Sequence, residues 1–171
     1  MIDNSQVASL GRLAGYMALV ALILGTATTA AATGRVTMGL VAGGALGWSF
    51  VPLLQLLTGV LLIRGLRAGR LRQLERYFAL HWPWSLWILA YHSALLLLPT
   101  RSLGTWLALT AVVPIAITAR LLVRFAQTHV TGDRRAAIRR VALHQAVTYG
   151  IFLAYVAVAV ALWTRVLKVL A

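Results

Sequence analysis

The chain has 171 residues, 61% of them hydrophobic and 11% charged, with a formal net charge of +13 and no cysteine. A soluble domain is roughly 45–50% apolar and about 25% charged, so the apolar surplus must face lipid, and the chain reads as an all-α integral membrane protein. The missing cysteines exclude thiol catalysis, disulfides, Fe–S clusters and covalently attached haem. Asp3, Glu75 and Asp133 are the only acids, and all lie outside the apolar runs. That excludes carboxylate proton relays, intramembrane aspartyl proteolysis and di-iron sites.

Five apolar runs, at 13–32, 40–63, 77–98, 103–123 and 141–163, predict one domain covering 1–171 and crossing the membrane five times, since a span takes about 20 helical residues. The first run ends in Ala27-Thr28-Thr29-Ala30-Ala31-Ala32, similar to a leader's cleavage region, and is read as a retained span. Short connections at 34–38 and 100–102 fold spans one and two, and spans three and four, into antiparallel hairpins. Span two carries Gly39, Gly43 and Gly47 at every fourth position, a face for close helix packing. It serves either the partner helix of its own hairpin or a second protein. Gly11 and Gly15 offer the same spacing at the start of span one.

Between spans two and three, the segment 64–76 predicts a short interfacial helix, with Leu71, Leu74 and Phe78 toward the acyl boundary and Arg72 and Arg76 toward headgroups. Pro83 marks the first turn of the next helix, which makes Tyr77–His81 an interfacial lead-in. Trp82, Trp84 and Trp87 follow as an aromatic belt. Pro114, in the middle of span four, predicts a kink, because it removes the bond to the carbonyl of Thr110. A turn at Thr131-Gly132-Asp133 precedes a helical extension of span five through 134–140.

Charge orients the bundle. Arg12, Arg64, Arg67, Arg70, Arg72, Arg76, Arg120, Arg124, Arg134, Arg135, Arg139 and Arg140 fall on one side, twelve of the sixteen basic residues. Arg35, Arg101, Arg165 and Lys168 fall on the other. The positive-inside rule puts the first side, with the N-terminus, in the cytoplasm, here of a bacterial inner membrane. Topology accounts for the charge without nucleic acid. The arginine clusters attract anionic lipid at about 1 kcal/mol per residue, or dock an acidic protein partner on the cytoplasmic face.

Ionisable groups inside a membrane point to function, and the histidines are the ones available. His81 and His92 are eleven residues apart, so at about 100° per residue they share a helix face. His144 stands four residues past Arg140, at about the depth of His81, which meets the requirement of a b-type haem for two axial imidazoles at one level. Tyr155, eleven residues beyond His144, stands opposite His92, where the pair would form a hydrogen bond. His129, in the arginine-rich connection, reads as a satisfied polar residue.

Three segments carry a family resemblance: Gly11-Arg12-Leu13-Ala14-Gly15 before span one, Leu74-Glu75-Arg76 before the His81–His92 span, and Arg139-Arg140-Val141-Ala142-Leu143-His144 running to Tyr149. Their order resembles the ferric-reductase-like transmembrane cytochrome b domain. That family stacks two haems between two helices and moves electrons across the membrane from a cytoplasmic donor. The resemblance implies His81 and His144 as inner haem ligands, with His92 the outer histidine of its helix and no histidine facing it.

The leading expectation is therefore a haem b electron-transfer protein, an oxidoreductase subunit without its own soluble catalytic domain. The alternative is a non-catalytic membrane subunit or assembly factor that binds partners and anionic lipid through its glycine faces and arginine-rich loops. A transporter lined by Gln55, Thr58, Thr110 and Thr118 ranks third.

Overall fold

The computed structural model describes residues 4–63, 70–97 and 109–170, and every described element is helical. They are α1 (Asn4–Thr33), α2 (Met38–Trp48), α3 (Phe50–Leu62), α4 (Arg70–Ala79), α5 (Trp82–Leu97), α6 (Val112–Ala126), a π turn (Gln127–Thr131) and α7 (Arg134–Leu170). Among the described residues, three stretches are long and apolar enough to cross a membrane: Ala8–Thr33, Met38–Leu62 and Arg134–Val158. Five helices fit the arrangement, with α5 and α6 as the shorter pair. Arg64, Arg67, Arg101, the connection at 100–102 and the first residues of the fourth predicted span lie outside the described residues.

The first hairpin closes where the sequence places it. Gly34 adopts φ 65°, a left-handed conformation that costs glycine little. Thr37 then caps α2, its hydroxyl accepting from the Leu40 N–H at 3.3 Å. The hairpin contact itself departs from the expected glycines. Side chains added at Gly39, Gly43 or Gly47 would meet nothing, whereas one added at Gly25 would strike the backbone of Gly44 and Ala45. Gly25 and Gly44 therefore set the close approach of α1 and α2, and the every-fourth-residue face of α2 is left open. Gly11 and Gly15 are likewise open.

Span two is interrupted between α2 and α3 at Ser49. Pro52 has no N–H to give the Trp48 carbonyl, while Ser49 still donates its backbone N–H to Ala45 and Leu53 donates to Ser49. The helix direction thus persists through the break. Pro83 falls in the first turn of α5, as expected. Leu109 is helical, Thr110 and Ala111 form a turn, and α6 restarts at Val112 with Pro114 in its first turn, so the helix is interrupted at the carbonyl that Pro114 is expected to free. The Thr110 carbonyl accepts instead from Val113 at 3.0 Å.

The turn at 131–133 forms as read. Gly132 adopts φ 71°, and the Asp133 carboxylate accepts from the Ala136 N–H at 2.8 Å, capping α7. The residues 134–140 extend the last span as one continuous helix.

The core gathers at one end of the bundle. It joins Leu13 of α1, Leu62 and Ile63 at the end of α3, Leu74, Tyr77 and Phe78 of α4, Leu122, Phe125 and Ala126 of α6, and Ala137 and Val141 of α7. The helix expected between spans two and three exists as α4, but its apolar face packs into this core rather than toward acyl chains: Leu74 and Phe78 are buried, while Arg72 and Arg76 are exposed. Tyr77, expected in an interfacial lead-in, has no exposed surface at all.

Candidate functional site

Tyr77 is the hub of a buried polar cluster. Leu74, Tyr77, Phe78 and His81 recur at i, i+3, i+4 and i+7, so α4 and the turn after it turn one face inward. Across from the phenol ring stands Gly59 of α3, where an added Cβ would lie 2.6 Å from Tyr77 Cε1. The absent side chain makes room for the ring. Both imidazoles touch that ring edge-on, His81 with centroids 4.6 Å apart and His144 at 5.6 Å. His81 and His144 are thus brought to one buried level, as their positions along the two spans imply.

Hydrogen bonds tie the cluster together. The Thr58 hydroxyl donates to the Leu54 carbonyl at 2.8 Å, so towards Tyr77 its oxygen accepts, at 3.4 Å. The phenol oxygen is also hydrogen-bonded to His144 Nε2 at 3.1 Å. His81 donates from Nδ1 to the Tyr77 carbonyl at 3.0 Å, which leaves its Nε2 as the acceptor nitrogen of a neutral ring.

In this arrangement His144 Nε2, a nitrogen that a haem iron would take, is hydrogen-bonded to the Tyr77 hydroxyl. The phenol ring that touches both imidazoles is itself fully buried. Among the described residues, no three His, Asp or Glu side chains converge on a metal-sized site.

The predicted outer pair does not form. His92 donates from Nδ1 to the Ile88 carbonyl at 2.8 Å and lies against Tyr91. Tyr155 stacks on Phe50, centroids 4.0 Å apart, and donates to the Gly47 carbonyl at 3.1 Å. The eleven-residue interval is sound for each helix alone, but Phe50 and Gly47 of the α2–α3 segment hold Tyr155 instead of α5. His129 is satisfied as expected: Nδ1 donates to the Phe125 carbonyl at 3.2 Å, and Nε2 accepts from Arg76 at 3.1 Å. The tryptophans only partly match a belt. Trp82 is exposed, whereas Trp87 donates to the Thr110 hydroxyl at 2.8 Å and Trp84 packs against Trp87 and Tyr149.

Around the core, the basic side chains form a rim. Arg12, Arg72, Arg76, Arg124, Arg134, Arg135 and Arg139 are exposed, and all belong to helix segments that meet in the Tyr77 core. Among the described residues, the two acids at this end are both engaged. Glu75 pairs with Arg12, Nε to Oε1 at 2.6 Å, and the guanidinium holds the Glu75 carboxyl below the usual carboxylate range. Asp133 caps α7.

No protein family matches the sequence, and no curated protein or solved structure is similar to it.

Proposed function

We propose that this chain is a non-catalytic membrane subunit, inserted with its basic end in the cytoplasm, that binds anionic lipid headgroups and the acidic face of a partner protein through its arginine rim. The observation that carries this reading is the rim: arginines from α1, α4, α6 and α7 gather at one end of an apolar bundle, and the described acids there, Glu75 and Asp133, are engaged by Arg12 and by the α7 cap. Each basic residue near an anionic surface contributes about 1 kcal/mol. The open Gly39, Gly43 and Gly47 face of α2 offers a partner helix a close approach. The Tyr77 cluster supports the same reading, because its groups bond one another and tie α3, α4 and α7 together.

The test is lipid enrichment in mixed phosphatidylglycerol and phosphatidylcholine nanodiscs. The wild type is expected to concentrate phosphatidylglycerol around itself, and a variant with Arg134, Arg135 and Arg139 changed to Gln to lose most of that enrichment. Equal enrichment in both would overturn the lipid assignment. Orientation is checked on the cysteine-free background: Asp133→Cys should label only after permeabilisation and Val36→Cys in intact cells. The reverse pattern contradicts the proposed insertion.

A further inference from the structure

A crevice of about 280 Å³ opens between α3 and α7 on the flank of the Tyr77 cluster. From the basic end inward, α7 lines it with Arg140, Leu143, His144 and Val147, the i, i+3, i+4 and i+7 positions of one helix face. The facing helix contributes Leu61 and Thr58. Leu61 and Leu143 are 49% and 67% exposed, so the crevice opens sideways to the surroundings of the bundle rather than into its centre. Among its described lining residues, the ionic group is the Arg140 guanidinium at the basic end.

We propose that this crevice holds one anionic phospholipid, with its phosphate on Arg140 and an acyl chain lying between Leu61 and Leu143 toward Val147. The inference rests on the membrane insertion proposed above. In that orientation Arg140 stands at headgroup depth, and the apolar walls run toward the hydrocarbon, matching the order of head and tail in a lipid. A volume just under the roughly 300–1,000 Å³ of small-molecule sites suits a single chain better than a ring system. A guanidinium is the side chain best shaped for bidentate phosphate contact. The lipid chain would lie over His144, which forms part of the crevice wall.

Native mass spectrometry of the full chain released from mild detergent, with added phosphatidylglycerol or phosphatidylcholine, tests this. The wild type should retain one phosphatidylglycerol in preference to phosphatidylcholine. Arg140→Gln should weaken retention about fivefold, one charge's worth near a membrane surface, and Arg140→Lys should recover most of it. Leu143→Trp fills the crevice without touching charge and should abolish retention of the single lipid while leaving bulk phosphatidylglycerol enrichment in nanodiscs unchanged. Should Leu143→Trp fail to fold, as judged by its helical circular dichroism, Val147→Phe serves the same purpose. Retention unchanged by the filling variant, or no retained lipid in the wild type, would overturn the crevice site; loss of nanodisc enrichment in the wild type would overturn the rim reading separately.

Discussion

The two ends of this bundle are held together by different means. At the basic end, large side chains from five helices converge on Tyr77, and the polar groups among them form one ordered chain from His144 through Tyr77 and Thr58 to Leu54. At the opposite end, α1 and α2 approach through missing side chains, Gly25 against Gly44, with the Thr29 hydroxyl turned back onto the Gly25 carbonyl. Beside that contact lies a cavity of about 390 Å³, walled in part by Thr28, Trp48 and Tyr155. The basic end is specified by side-chain chemistry and the other by backbone proximity. Substitutions should therefore break the ends in different ways.

The largest expected effect is at the hub. Tyr77→Ala removes the ring that touches both histidines and should cost about 3–5 kcal/mol, as for other buried aromatics, read as thermal unfolding in detergent. Next is Gly25→Ala, whose added methyl strikes the backbone of α2; overpacking of this kind costs about 1–3 kcal/mol, and rigid backbone on the receiving side puts it at the upper end. Gly43→Ala is the control. It faces open space and should be neutral or stabilising by up to about 1 kcal/mol through helix propensity. Equal losses at the two glycines would erase the distinction between the contact pair and the open face.

Tyr77→Phe keeps the ring and deletes one hydroxyl, leaving His144 Nε2 and Thr58 without that partner, at about 1–3 kcal/mol. At the other end, Tyr155→Phe loses a single bond to the Gly47 carbonyl while its stacking on Phe50 persists. Polar contacts in membrane bundles average about 0.6 kcal/mol, so the drop should be several times smaller than for Tyr77→Phe. The smallest effect is the exposed Arg12–Glu75 pair. Because the folded carboxyl titrates below its ordinary value of about 4.3, the pair's contribution is complete above that pH and is lost as pH falls through the lowered value. Glu75→Gln should flatten this acid limb of the melting profile and leave its neutral plateau nearly unchanged.

The sequence made much of this legible. Spans one, two and five, the turn at Gly34, the Thr131–Asp133 turn and the helical run after it follow from apolar length and turn chemistry, and the structure forms each of them. The meeting of His81 and His144 at one level was legible from their position beside Arg76 and Arg140. What escaped were properties of pairs. Nothing in α4 alone says that Tyr77 is buried rather than interfacial, because an aromatic beside arginines satisfies both descriptions. The signal lay in combining its i, i+3, i+4, i+7 face with a glycine in another helix, Gly59. Likewise the regular Gly39, Gly43 and Gly47 spacing was conspicuous, while the glycines in contact, Gly25 and Gly44, belong to different helices and form no motif. Tyr155 went astray for the same reason, since helical phase gives the direction of a side chain and not the identity of the neighbour it meets.

We propose that the Tyr77 hydroxyl holds His144 within a bonded cluster rather than leaving it open to a metal. A dithionite-reduced minus oxidised absorption spectrum of the purified chain, taken after haem has been supplied, tests it directly. A flat difference spectrum is expected from protein whose circular dichroism remains helical. A sharp b-type α-band that disappears in His144→Ala would contradict it and would establish the two histidines as haem ligands.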